Sequence, residues 1–158
     1  MTNTDDVELT SRSSLLRVVE ETDSTWTRAA SSWLYVVPWG MRRTLRWVRE
    51  CYRDPPIYIT ENGFSDASGT LDDQVRVDFF RRYINEVLKA ICLDGCDVRA
   101  YTAWSLLDNF EWSIGFTERF GLHQVDFADP RRPRTAKTSA TFYRDLVRRN
   151  GFQPAAKL

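Results

Sequence analysis

Apolar positions fall into a regular register only from Trp33 onward. Pro38 suits the first turn of a helix, and Met41, Leu45, Val48 and Cys51/Tyr52 follow at helical spacing until Asp54-Pro55-Pro56 stops it. Ile57-Tyr58-Ile59-Thr60 is a short β-branched apolar run, the pattern of a buried strand. After a polar loop to about Leu71, Asp72 is placed to cap a long helix that carries Val75, Phe79/Phe80, Tyr83/Ile84, Val87/Leu88 and Ile91 on one face. Asp94-Gly95 ends that helix. Val98 to Ser105 predicts a second buried strand, followed by an aromatic loop to about Phe120. His123 to Phe127 alternates like a short strand or hairpin arm. A last amphipathic helix carries Ala140, Tyr143, Leu146 and Val147 ahead of Gly151. Helix, strand, helix, strand, helix implies parallel pairing through crossovers, an α/β architecture.

Residues 1–32 stand apart: twelve are Ser or Thr, and six acids against three Arg leave a charge of −3. This composition predicts a long loop or disordered leader, with at most one turn around Leu15 to Val19. Across the chain, 22 Lys+Arg balance 22 Asp+Glu, so no excess charge points to nucleic acid or an acidic membrane surface. The apolar stretch Trp33 to Trp39 is far short of the roughly 20 residues a spanning helix needs, so no membrane segment is expected. The start MTNTDDVELT is too polar and acidic for a secretory signal, which favours a cytoplasmic setting with reduced thiols. Cys51, Cys92 and Cys96 make an odd set; with His123 the sole histidine they suggest small buried hydrophobes, no metal and no cofactor.

Aromatics change the picture, at 13% with six Trp, six Tyr and nine Phe. Such rings fill cores, but they also line ligand clefts. The first strand ends at Glu61, and the carboxyl edge of an α/β sheet is where loops converge on active sites. A carboxylate there is either paired, functional, or a solvated loop acid in the Asn62-Gly63 turn. The second strand ends at Trp104-Ser105, and its loop Leu106-Leu107-Asp108-Asn109-Phe110-Glu111-Trp112 interleaves acids with rings. Pyranose C–H faces stack on indoles, while vicinal hydroxyls suit a carboxylate that accepts two hydrogen bonds. An aromatic mini-core with surface acids satisfies the same pattern.

Two stretches carry a specific resemblance. Tyr58-Ile59-Thr60-Glu61-Asn62-Gly63 resembles the I/V-T-E-N-G signature of family 1 glycoside hydrolases, the β-glucosidase and lactase type. Tyr101-Thr102-Ala103-Trp104-Ser105-Leu106-Leu107-Asp108-Asn109-Phe110-Glu111-Trp112 resembles that family's second signature, and the likeness runs from about Trp33 to Phe152. It implies the C-terminal part of a (β/α)8 TIM barrel, strands seven and eight with their helices. It further implies that Glu61 is the nucleophile of a retaining mechanism, and that the substrate is a small β-glycoside. Trp104 would then pack against the bound sugar, Glu111 would bind its outer hydroxyls, Trp112 would donate its indole N–H, and Phe120 would wall the pocket. A carboxylate at Glu111 would repel a phosphate, so a plain glucoside, galactoside or fucoside is expected over a 6-phosphosugar.

The same resemblance exposes a gap. The family's acid/base lies in an Asn-Glu-Pro motif, and the sole Asn-Glu here is Asn85-Glu86, followed by Val87 within a helical pattern. His123 lies after strand eight, where a structural role is expected. A barrel typically needs about 250 residues, against 158 here. The expected organisation is a leader over 1–32, barrel βα units over 33–152 and a tail over 153–158, inactive by itself. The alternative is a klotho-like pseudoenzyme that binds a glycan or a protein partner.

Overall fold

The computed structural model describes residues 21–152; the turn expected around Leu15 to Val19 lies outside them. Helix α1 spans Pro38–Tyr52 and strand β1 Ile57–Asn62. Helix α2 spans Gln74–Cys92, strand β2 Val98–Ala103, and a 3-10 turn Trp112–Ile114 follows. Strands β3, His123–Val125, and β4, Arg134–Ala136, precede helix α3, Thr138–Arg149. β1 and β2 pair in parallel across the α2 crossover, as the element order requires, while β3 and β4 form an antiparallel hairpin. Polar β4 has no apolar pattern to mark it in the sequence.

The helices cover one face of the parallel sheet. Leu45 of α1, Val87 and Ala90 of α2, and Cys96 bury against Ile57, Ile59 and Val98. Phe79, Phe80 and Tyr83 form a second cluster with Phe64 and Leu122, so α2 also supports the loops that follow both strands. Packed aliphatic and aromatic surface of this kind contributes roughly 1.5–3 kcal/mol per large side chain. Tyr58, Thr60, Ala100 and Thr102, on the opposite face, are exposed. Among the described residues the parallel sheet has two strands, so each has one edge without a strand neighbour.

Several local expectations are corrected. The residue preceding α2 is Asp73, not Asp72; the Asp73 carboxylate is drawn to Arg76 and Ser139 and makes no side-chain cap. Val75, Ile91 and Val147 are exposed, since α2 and α3 each turn a narrower face inward than periodicity suggested. The second strand closes at Ala103, and His123 to Phe127 is extended only to Val125. Cys96 is buried, but Cys51 and Cys92 are exposed at the ends of α1 and α2. Residues 21–32 have no regular element, yet they are held in place: Arg28 bridges Tyr35, and Ala29 and Ser31 are buried. No described helix is long and apolar enough to cross a membrane.

Candidate active site

Glu61 lies one residue before the end of β1, where the sheet register breaks. Ile59 pairs with Tyr101 and Asn62 with Ala103, so three steps along β1 oppose two along β2. The extra residue is a bulge at Thr60-Glu61, a device that re-aims side chains beside active sites. Both residues are exposed at this edge. Asn62 fixes the end of the strand: its Oδ1 accepts from the Tyr101 hydroxyl at 2.7 Å, and its carbonyl accepts from the Trp104 amide at 2.8 Å. Gly63 is dictated by this approach, because a Cβ there would lie 1.9 Å from the Trp104 carbonyl oxygen.

The β2 loop is closed by main-chain bonds. The Trp104–Ser105 peptide is cis; the Ser105 amide donates to Phe120 (3.1 Å) and the Leu122 amide returns to Ser105 (2.8 Å). Within the loop, the Glu111 amide donates to Gly115 at 2.7 Å. The Glu111 side chain folds inward and is 8% exposed, and its Oε1 is buried without a hydrogen-bond partner. Burial pushes the Glu111 carboxyl above its ordinary value; the Trp104 and Asn109 side chains oppose the shift as donors, and the charges of Glu118 and Glu61 add to it. A buried carboxylate oxygen with no donor is costly unless a ligand supplies one.

Glu111, Trp112 and Phe120 line one cavity of about 250 Å³, together with Ser31, Trp33 and Glu118. Phe120 is buried in its wall; Trp33 and Trp112 stand exposed at 71% and 84%. Trp104, 37% exposed, sits at the end of β2 beside Glu111. Glu61 and Trp104 are not part of the cavity lining, although Glu61 is close enough to act on the titration of Glu111. Four of the five expected residues thus lie on the β2 loop and its edge, with Glu61 across the sheet edge. His123 half-buries, with its Nδ1 3.1 Å from the Leu106 carbonyl, at the base of the same loop. A roomier cleft of about 650 Å³ between α2 and α3, lined by Arg81, Asn85, Phe142 and Leu146, contains none of these groups.

Ser31, Trp33 and Glu118 were not anticipated. Ser31 donates its hydroxyl to Glu118, and its amide donates to Ser65 Oγ at 2.8 Å, so three separate loops meet behind the cavity. A Ser/Thr-rich stretch reads as solvent-facing, and only the fully buried Ser31–Ser65 pair reveals the tie. Nor did sequence order reveal the buried ion pairs beneath the loops, Asp73–Arg76 and Asp108–Lys137.

Comparison with known proteins matches this arrangement to enzymes. Human lactase/phlorizin hydrolase is 53% identical over 85% of this chain, which spans 7% of that protein. Human cytosolic β-glucosidase is 48% identical over 83% of the chain, here 28% of the relative's length. Among solved structures, a β-glucosidase from the fungus Humicola insolens in complex with glucose superposes with a TM-score of 0.76 at 39% identity. That superposition covers 80% of this chain and 28% of the other. The architecture is accordingly a portion of a TIM barrel. The profile of "Glycosyl hydrolase family 1" matches residues 1–152, reaching back through the stretch read above as a leader. The match, the relatives and the paired strand ends agree: the chain belongs to glycosyl hydrolase family 1.

Proposed function

We propose that this chain carries the nucleophile and the outer sugar-binding wall of a retaining β-glycosidase acting on β-glucosides or β-galactosides. The observation that carries the reading is the buried, partnerless Glu111 Oε1 among Trp104, Trp112 and Phe120, at the edge that also holds Glu61. A sugar hydroxyl supplies the missing donor, while the rings cover the C–H faces of the pyranose. Glu61 attacks the anomeric carbon, the aglycone oxygen leaves with a proton from a general acid, and water then hydrolyses the glycosyl ester. The bulge supports this role because it breaks the strand alternation at the edge where Glu61 is exposed.

The general acid is expected from outside the described residues, which carry no Asn-Glu-Pro motif. The retaining geometry needs a second carboxyl about 5–5.5 Å from the nucleophile. Glu86, of the Asn-Glu pair, lies in the middle of α2 and holds Lys89 at 2.5 Å. Glu111 is assigned to binding. The isolated chain is therefore expected to leave an aryl β-glucoside unhydrolysed; turnover by the chain alone, abolished in E61Q, would overturn that expectation.

The nucleophile assignment is tested in a chimera joining the upstream part of human cytosolic β-glucosidase to residues 33–152. A 2-deoxy-2-fluoro-β-glucosyl fluoride should label Glu61, as read by peptide mapping. The E61A variant given azide should release the α-glycosyl azide, because the small anion takes the place of the missing carboxylate. Labelling at any other residue overturns the assignment.

A further inference from the structure

The side chains of Asp108 and Lys137 are 1% and 0% exposed, and the Lys137 ammonium donates to Asp108 Oδ1 at 2.8 Å. The same oxygen accepts from the Gly121 amide at 2.9 Å. Asp108 also donates its own amide to His123 at 3.0 Å, and Lys137 donates its amide to Leu122 at 3.0 Å. A Cβ at Gly121 would lie 2.1 Å from the Asp108 amide nitrogen, so only glycine admits this approach. The carboxylate thus ties the beginning of the β2 loop to its end, and Glu111 and Phe120 lie between the two anchor points.

Stability alone is a poor account of this pair. Replacing a buried ion pair with apolar groups of similar volume is often neutral or stabilising. Lys137 precedes α3 without capping it through its side chain, and Asp108 Oδ2 remains buried without a partner. A well-packed apolar pair fills space; a charged pair also fixes direction, and it does so three residues before Glu111. An error of about 1 Å at a reacting centre can cost on the order of a hundredfold in rate.

We infer that Asp108 is a positioning residue: held by Lys137 and the Gly121 amide, its carboxylate sets where Glu111 and Phe120 stand in the cavity. The inference rests on the proposed sugar-binding role of these two side chains for its functional meaning, but the geometry it predicts is measured with no sugar present.

The test uses the 158-residue chain labelled with ¹⁵N. The signals read are the Glu111, Ile114 and Phe120 amides and the Trp104 indole N–H, with the Leu45 and Ala90 amides as internal controls. In D108N the loop signals should move by more than a linewidth while the controls stay. In D108N/K137M, which removes the stranded ammonium, the urea midpoint should recover and the loop signals should remain displaced. A merely structural pair would restore both together. Loop signals returning to their original positions in the double variant, or unmoved in D108N, overturn the inference. If D108N fails to fold, the double variant alone decides between the same two outcomes. Failure of the glycosidase reading shows instead as absent Glu61 labelling in the chimera, independently of these spectra.

Discussion

Arg76 offers the sharpest test of how the two strand ends are held together. Its side chain is fully buried on α2 and makes three separate connections. Nε donates to the Phe64 carbonyl at 3.1 Å, on the β1 loop, and one terminal nitrogen donates to the Arg119 carbonyl at 2.8 Å, on the β2 loop. The other terminal nitrogen pairs with Asp73, which also accepts from the Ser139 amide at 2.8 Å and its hydroxyl at 2.6 Å. Arg76→Met keeps the bulk of the side chain but leaves a carboxylate and two carbonyls short of a donor. Breaking a buried pair by removing one partner typically costs about 3–5 kcal/mol. A domain has roughly 5–15 kcal/mol in all, so a substantial share of its stability would go. In urea, with a slope of about 1–3 kcal/mol per molar, the midpoint should fall by about 2 M. D73N/R76M should be less damaging than the sum of its single variants, by the roughly 0.5–3 kcal/mol of coupling found between contacting residues. A cost below about 1 kcal/mol for R76M, or strict additivity in the double variant, would refute the reasoning.

Two further predictions concern the site itself. Gly63→Ala places a Cβ 1.9 Å from a backbone oxygen that cannot move without breaking the Trp104–Asn62 bond, so it should lower stability by about 3 kcal/mol or more in urea unfolding. A variant as stable as the parent would show that the strand ends are not locked. Glu111 titrates above its ordinary value in the folded chain, chiefly through burial. The native state therefore holds its proton where the unfolded chain has released it, and stability must fall as pH rises from about 4.3 through the folded-state value. E111Q should flatten that decline and raise the urea midpoint at pH 7; a lower midpoint at pH 7 in E111Q would count against a carboxylate kept under strain for a ligand.

The elements legible in the sequence are those specified by their near neighbours in the chain. α1, α2 and β1 each bury one face against apolar partners, so spacing alone located them, and the carboxyl ends of β1 and β2 then placed Glu61 and Trp104 on one edge. Between Asp72 and Asp73 the apolar spacing shows no preference. Asp73 is held by Arg76, three residues on, and by Ser139, 66 residues away. Asp108 and Lys137 read as surface charges because their pairing spans 29 positions, and Ser31 reads as linker because its partner Glu118 stands 87 positions on. The bulge at Thr60-Glu61 is a property of register against β2, to which no feature of β1 alone points.

These non-local ties converge on one place. Asp73–Arg76 joins the Phe64 and Arg119 loops to α3, Ser31–Ser65–Glu118 joins the segment before α1 to both loops, and Asp108–Lys137 closes the β2 loop. Each involves buried polar groups that contribute little net stability when paired and cost much when unpaired. The hydrophobic pattern and the polar ties therefore have separable consequences. A substitution that preserves every apolar position but severs one tie should leave the helices formed and displace the end of β1 that carries Glu61 or the loop that carries Glu111. The helical circular dichroism signal would then persist in a chain whose Trp104 and Glu111 resonances have lost their native positions. This fold divides the work accordingly: apolar periodicity builds the scaffold, and buried charge and hydroxyl pairs aim the residues mounted on it.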